Sequence, residues 1–201
     1  MKLILLFSVL IASTELIAEE YFKMNFKNEE LVKVIEQYSK NTGQKFIMDS
    51  SIRGKVNIMI PSNVSKTDAF DYLSMALSLN GYAISQQGDV MVIKSARNIQ
   101  RDLIEVSTEV PTIRPERMYT WVYNVKNISA ANIGRDIRTL NSKDGEIVFN
   151  ANSNQIIFTD WVTNINRVAK LMKEIDIVNP PDVAKIVESY KKEIETRKAS
   201  N

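Results

Sequence analysis

The sequence predicts an α+β fold of two small α/β sandwich domains, ordered β-α-β-β-α-β-β and then KH-like β-α-β-β-α, with a helix at the C-terminal end. Three observations carry that prediction. Apolar residues alternate at period two in some segments and recur at helical spacing in others, and the two patterns interleave along the chain. All five prolines stand at segment boundaries: Pro61 between a strand and a helix, Pro111 and Pro115 in a polar connector, Pro180 and Pro181 after a helix. The connector, residues 95–117, separates two stretches that each begin strand, capped helix, two strands, capped helix.

The first eighteen residues are read as a signal peptide rather than as fold. Lys2 precedes an uncharged run from Leu3 to Ser13, and Glu15, Glu19 and Glu20 follow it. The run is shorter than the roughly 20 apolar residues that span a bilayer, and cleavage after Ala18 is expected. An exported chain without cysteine holds its fold by packing alone.

The first domain, residues 19–94, opens with Tyr21 to Phe26, whose alternation puts Phe22, Met24 and Phe26 on one face. Asn28 is the expected cap of a helix carrying Leu31, Val34, Ile35 and Tyr38, with Glu29 and Glu30 in its first turn and Gly43 ending it. Lys45 to Met48 and Lys55 to Ile60 read as strands. Ser65 and Asp68 form a capping box ahead of Ala69, Phe70, Leu73, Ala76 and Leu77, and Asn80-Gly81 stops that helix. Tyr82 to Gln86 and Val90 to Lys94 form a hairpin around Gln87-Gly88-Asp89.

The second domain, residues 118–178, begins with a strand from Met118 to Val125 bearing Tyr119, Trp121 and Tyr123 on one face. Ser129 caps a helix with Ala130, Ile133, Ile137 and Leu140, in which Gly134 costs about 1 kcal/mol relative to alanine. Glu146 to Phe149 and Gln155 to Thr159 form a second hairpin. Asp160 is the expected cap of a helix with Trp161, Ile165, Val168, Met172 and Ile175 on one stripe. Residues 179–201 form a charged tail whose helix carries Val183, Ile186, Val187, Tyr190 and Ile194 in a Lys/Glu-rich background.

Composition narrows the chemistry. Neither histidine nor cysteine occurs among 201 residues, so no imidazole base, thiolate nucleophile or His/Cys metal site can be built. No catalytic residue, cofactor site, metal ligand set or small-molecule substrate is assigned. With 26 basic and 24 acidic side chains, the net charge of +2 gives no basic stripe for nucleic acid. No phosphate-binding glycine loop is present, and Gly134-Arg135-Asp136-Ile137 lacks the second glycine of a KH clamp. Asp68 and Asp71, three residues apart, form the one carboxylate pair that a hydrolase could use, though the capping box already accounts for Asp68. The aromatic row at 119, 121 and 123 is read as cover for helices rather than as a stacking platform. What remains is association through sheet edges, and the outward strand residues Tyr21, Lys23, Asn25, Lys55, Asn57 and Met59 are the expected partner surface.

Particular motifs then carry a family resemblance. Met24-Asn25-Phe26-Lys27-Asn28-Glu29-Glu30-Leu31 and Gly43-Gln44-Lys45-Phe46-Ile47 resemble the first periplasmic domain of secretins, and Lys55-Val56-Asn57-Ile58, Asp68-Ala69-Phe70 and Asn80-Gly81-Tyr82 continue its pattern to Val92-Ile93. Tyr123 to Ala130, Asn152 to Asp160, and Asn164-Ile165 through Ile175-Asp176 resemble the secretin ring-building domain. The resemblance implies a periplasmic, non-enzymatic component of a type II secretion or type IV pilus system. It implies protein partners: an inner-membrane component, a full-length secretin, or further copies in a ring, with the outer membrane reached only through such a complex. The glycine-rich alternating strands of a secretin pore do not follow, so the expected component has no pore of its own. The alternative is a periplasmic sensing module of the kind attached to outer-membrane receptors, and a carboxylate hydrolase is a remote third.

Overall fold

A computed structural model describes residues 21–101 and 104–199, so the expected signal peptide lies outside the described residues. The first unit contains β1 (Tyr21–Phe22), β2 (Phe26–Glu30), α1 (Leu31–Thr42), β3 (Lys45–Met48), β4 (Lys55–Ile58), β5 (Val64–Ser65), α2 (Lys66–Leu79), β6 (Tyr82–Gln87), β7 (Val90–Ser95) and the single-turn α3 (Ala96–Ile99). The second contains β8 (Val106–Ser107), β9 (Met118–Asn124), α4 (Ala130–Ile137) running into a 3₁₀ turn, β10 (Glu146–Asn150), β11 (Gln155–Trp161), α5 (Val162–Ile175) and α6 (Pro181–Ala199). The mixed α+β class matches the sequence reading; against the expected orders, the first unit splits its opening strand and adds β5 and α3, and the second adds β8 ahead of β9.

In the first unit α1 and α2 lie between small sheets. Antiparallel pairs β1–β5 and β2–β4 lie apart from a three-stranded sheet of order β3-β7-β6, in which β3 runs parallel to β7. The shared core includes Leu31, Val34 and Ile35 from α1, Leu73 and Leu77 from α2, and Ile93 from β7. Burying each such side chain contributes about 1.5–3 kcal/mol. Gly43 ends α1 at φ +70°, where its N–H reaches the Ser39 carbonyl at 2.8 Å. Ser65 Oγ accepts from the Asp68 N–H at 3.2 Å, so the expected capping box forms.

The start of this unit departs from the sequence reading. The opening strand breaks at residues 23–25, and Asn28 does not cap α1. It sits at φ +52° in a bulge of β2, its N–H held by Asn57 Oδ1 at 2.8 Å. Asn tolerates the left-handed region, so a residue that reads as a cap serves here as a bulge. Glu29 and Glu30 therefore belong to β2, and α1 starts at Leu31 with Glu30 as an extended N-cap and no side-chain cap bond.

In the second unit β10-β11-β9-β8 form one sheet covered by α4 and α5. Tyr119 and Trp121 are buried in its core, Trp121 stacks on Phe158 at 5.5 Å, and Tyr123 is half-buried. The aromatic row is core, as the sequence favoured. The glycine in α4 has a packing reason: a Cβ at Gly134 would meet the Phe149 ring at 3.0 Å. The two expected side-chain caps are replaced. Ser129 precedes α4 without a capping bond, and Asn154 Oδ1 instead accepts the Ala130 N–H at 2.8 Å. The N-cap of α5 is Trp161; Asp160, one residue earlier, is buried and accepts from Ser142 N–H, Ser142 Oγ–H, Trp161 N–H and Asn164 Nδ2–H.

The two units are joined by a third apolar core. Ala83 from β6 and Ala96 and Ile99 from α3 pack with Met118 from β9 and Trp161 from β11, and Ile104 closes the edge. The segment that reads as a polar connector is laid along the second unit. β8 pairs in parallel with β9, Trp121 Nε1–H donates to the Thr108 carbonyl at 3.1 Å, and Asn166 Nδ2–H donates to the Pro111 carbonyl at 2.8 Å.

Candidate interaction surface

The six expected partner residues are all exposed, and four of them lie on or directly beside the paired strands β2 and β4. Phe26 and Ile58 are cross-strand partners and both point into the core. Side chains alternate along a strand, so Lys55 and Asn57 point outward from β4, and Asn25 and Met59, one residue outside β2 and β4, are exposed beside that pair. Met59 is 82% exposed, an apolar side chain presented to solvent. Lys55 stands opposite Glu30, and Lys33 pairs with Glu29 at 3.6 Å, so the rim of this face is charged. Asn57 has a local task as well, since its carbonyl oxygen fixes the bulge at Asn28. The other two residues lie elsewhere: Tyr21 is on β1 opposite Ser65, and Lys23 is in the link between β1 and β2. An apolar residue ringed by amides and charges is suited to a protein partner.

The junction is the second place where charge and shape concentrate. A cavity of about 450 Å³ opens between Phe70, Ile84 and Met91 on one side and Ile104, Glu116 and Met118 on the other. Asp71, buried on α2, faces Arg114 at 3.6 Å. Burial raises the Asp71 carboxyl above its usual range, with Arg114 acting against the rise and Asp68 adding to it. Asp68 and Asp71 thus do separate work, one in the capping box and one in an ion pair. Glu116 accepts from Thr163 Oγ–H at 2.8 Å, and burial again raises its carboxyl despite that bond. Arg97 Nη2–H donates to the Lys143 carbonyl at 3.0 Å, linking α3 to the loop before β10. No group of three or more acidic residues that could hold a metal ion occurs among the described residues.

A third cluster fixes the end of α5. The Asp176 carboxylate accepts from Tyr123 O–H at 2.7 Å, Lys126 N–H at 2.8 Å and Asn127 N–H at 2.7 Å. Burial opposes ionisation there, but the backbone donors and the tyrosine outweigh it, so the carboxyl is held below its usual range. Tyr123 is pushed up to about 12, first by burial and then by its bond to Asp176.

Sequence reasoning missed the junction residues. Ala83, the Ala96–Ile99 pair and Met118 come from three different segments, and the one available signal was the apolar pair Ala96 and Ile99 at helical spacing inside a polar stretch.

Known proteins resemble this chain in sequence and in fold. Residues 24–93 match the family described as GspD-like, N0 domain, and residues 120–188 match the bacterial type II/III secretion system short domain. Secretin XcpQ of Pseudomonas aeruginosa is 23% identical over 158 residues, covering 79% of this chain and 23% of the relative. Secretin GspD of Vibrio cholerae is 26% identical over 168 residues, covering 82% of this chain and 25% of the relative. A solved outer-membrane complex of the Klebsiella pneumoniae type II secretion system, containing PulD, PulS and the PulC HR domain, has a chain that matches with a TM-score of 0.68 at 21% identity, covering 77% of this chain and 26% of that one. This chain thus spans about a quarter of the length of these curated relatives. Two secretin-domain family matches in succession, together covering more than half of the chain, make this chain a member of the secretin family through its N-terminal domains.

Proposed function

We propose that this chain is an exported, periplasmic, non-enzymatic component of a type II secretion or type IV pilus system that works by protein–protein association. Its working units are residues 19–94 and 118–178, joined by 95–117 and followed by 179–201. The observation that carries the reading is the succession of an N0 match and a secretin short-domain match on two units with one shared apolar junction. The outer face of the β2–β4 ribbon is the docking surface for an inner-membrane component, with Met59 as its apolar anchor and Asn25, Lys55 and Asn57 around it; Tyr21 and Lys23 extend it toward β1. The Klebsiella complex, in which PulD is found with PulS and the PulC HR domain, supports association with other secretion-system proteins.

The test is calorimetric titration of the mature chain with the periplasmic region of the same organism's inner-membrane secretion component. Met59→Glu places a charge at the centre of the buried patch and is expected to weaken binding at least about tenfold. Met59 is exposed in the free chain, so folding is expected to be unchanged by circular dichroism. Absence of binding by the unmodified chain, or full binding by Met59→Glu, overturns the reading or its surface respectively.

A further inference from the structure

The docking role does not account for the buried charge at the junction. Glu116 is only 8% exposed, and its side-chain partner is Thr163, whose hydroxyl donates to it at 2.8 Å. Carboxylates buried to this degree ordinarily stand against a cation. Glu116 makes no ion pair among the described residues. Arg117, next in the chain, is turned to other partners: its guanidinium lies 3.9 Å from Glu105 and 5.6 Å from the centre of the Tyr119 ring, and it donates to the Thr112 and Pro115 carbonyls at 3.4 and 3.2 Å. Arg114 faces Asp71 at 3.6 Å. Burial raises the Glu116 carboxyl, Thr163 acts against the rise, Asp160 adds to it, and Arg117 is the weakest of these influences.

This carboxylate borders the junction cavity of about 450 Å³, a volume within the range of roughly 300–1,000 Å³ that holds a small organic molecule. The rest of the wall is largely apolar. Phe70, Ile84 and Met91 come from the first unit and Ile104 and Met118 from the second, and every one of them is buried or half-buried. Glu116 also borders a second cavity, with Met75, Leu79 and Trp161, but Leu79 is 82% exposed there and leaves that side open to water. The first cavity therefore combines apolar walls on two sides with one buried anion that has no counter-charge. Anything cationic and partly apolar that enters it relieves the charge and covers the walls together.

We propose that the junction cavity binds a small organic cation, a primary amine carried on an apolar body, with the amine held by Glu116. A carboxylate offers about four acceptor positions, so Glu116 can take an ammonium N–H and keep its bond from Thr163. The body lies between the two apolar walls. Met91 and Met118, one on each wall, are unbranched and adapt to its outline, so charge and size select the ligand more than exact shape does. Both units then contact one molecule, and its binding stabilises the junction between them. This site does not depend on the β2–β4 ribbon, so the two readings can fail separately.

Calorimetric titration of the mature chain with three probes of one size tests this: 4-phenylbutylamine, 4-phenylbutanol and 4-phenylbutyrate. The amine is expected to bind at least about tenfold more tightly than the alcohol, since a charge-assisted hydrogen bond exceeds a neutral one, and the carboxylate is expected to bind least. Glu116→Gln removes the charge and keeps an acceptor for Thr163. Burial already disfavours the charged form, so this variant is expected to fold as the parent does by circular dichroism and to bind the amine no better than the alcohol. Gln86→Trp adds bulk at an exposed position on the wall of this cavity and is expected to block the amine, whereas Leu79→Trp, on the wall of the second cavity, leaves it unchanged. The amine should also raise the urea midpoint of the parent and not that of Glu116→Gln. Failure of the amine to bind, equal affinity for amine and alcohol, or equal amine binding by parent and Glu116→Gln overturns the proposal. Loss of binding in Leu79→Trp with none in Gln86→Trp overturns the choice of cavity. Docking to the inner-membrane component, measured on the same samples, reports on the ribbon alone.

Discussion

Ile99→Ala separates a rigid pair of domains from two units on a tether. Ile99 is fully buried on α3 and reaches Met118 and Trp161 of the second unit. The substitution deletes three carbons, about 2.4 kcal/mol at ~0.8 kcal/mol for each buried methylene. The void left behind adds to this, so the expected loss is about 3 kcal/mol, within the range of about 2–5 kcal/mol for such truncations. At this chain length that is a fall in midpoint of roughly 6–12 °C. The loss falls on the contact between units rather than inside either of their own cores.

The two tryptophans make the distinction measurable. Trp161 lies in the junction and Trp121 in the core of the second unit. In a Trp121→Phe background, fluorescence reports the junction alone while far-ultraviolet circular dichroism reports helices of both units. The parent should unfold in urea with the two signals coincident. Adding Ile99→Ala should move the fluorescence transition to lower urea than the circular dichroism transition. Coincident signals with a loss below about 1 kcal/mol would refute the reasoning, because the junction would then contribute nothing to cooperativity.

Two further outcomes follow from single groups. Asp176→Asn keeps the shape but replaces one acceptor oxygen with an N–H donor that faces other donors, and the expected loss is about 2–3 kcal/mol at neutral pH by urea titration. The folded-state carboxyl of Asp176 lies below its usual range, so its stabilisation is complete above the unfolded value and disappears as pH falls through the folded one. The gap between parent and Asp176→Asn should therefore close on acidification below about pH 4, and a gap independent of pH would exclude the carboxylate as its source. Asp71 and Glu116, both raised by burial, act with the opposite sign and stabilise the fold on protonation. Gly134→Ala should gain helix propensity and lose more to the Phe149 ring, for a net loss of about 1 kcal/mol; in a Phe149→Leu background the same change should become stabilising.

Where a structural signal was local, the sequence showed it. The stripe Leu31, Val34, Ile35 and Tyr38 is buried as spaced, Ser65 caps α2, and Gly43 ends α1 at positive φ. The errors share one cause. Asn28, Ser129 and Asp160 are all residue types that cap helices, and each stands within three residues of one. Tertiary partners decide differently: Asn57 holds Asn28 in a bulge, Asn154 reaches across from the β10–β11 loop to accept the first N–H of α4, and Ser142 draws Asp160 inward. Side chains that can serve a local turn can equally serve a distant backbone, and sequence spacing does not say which.

On the proposed docking role the junction matters most, and it is the part least written in local pattern. A docking protein must present its surfaces at a fixed relative orientation, or each contact bears the entropy of ordering the next. Here that orientation is set by small contributions from many segments: two alanines and an isoleucine from one side, a methionine and a tryptophan from the other, and the Arg97 and Arg114 contacts across the gap. None of these residues forms a periodic stripe with its neighbours. Trp161 was assigned to the stripe of α5 and in fact ends β11, where it faces the other unit. The candidate docking face shows the reverse. That Lys55 and Asn57 are exposed was legible from strand alternation alone, because an outward position on an antiparallel ribbon needs only the period-two pattern and a buried partner strand. The exposure of the face proposed for docking is thus encoded locally, while its orientation to the second unit is encoded by residues that meet only after the chain has folded.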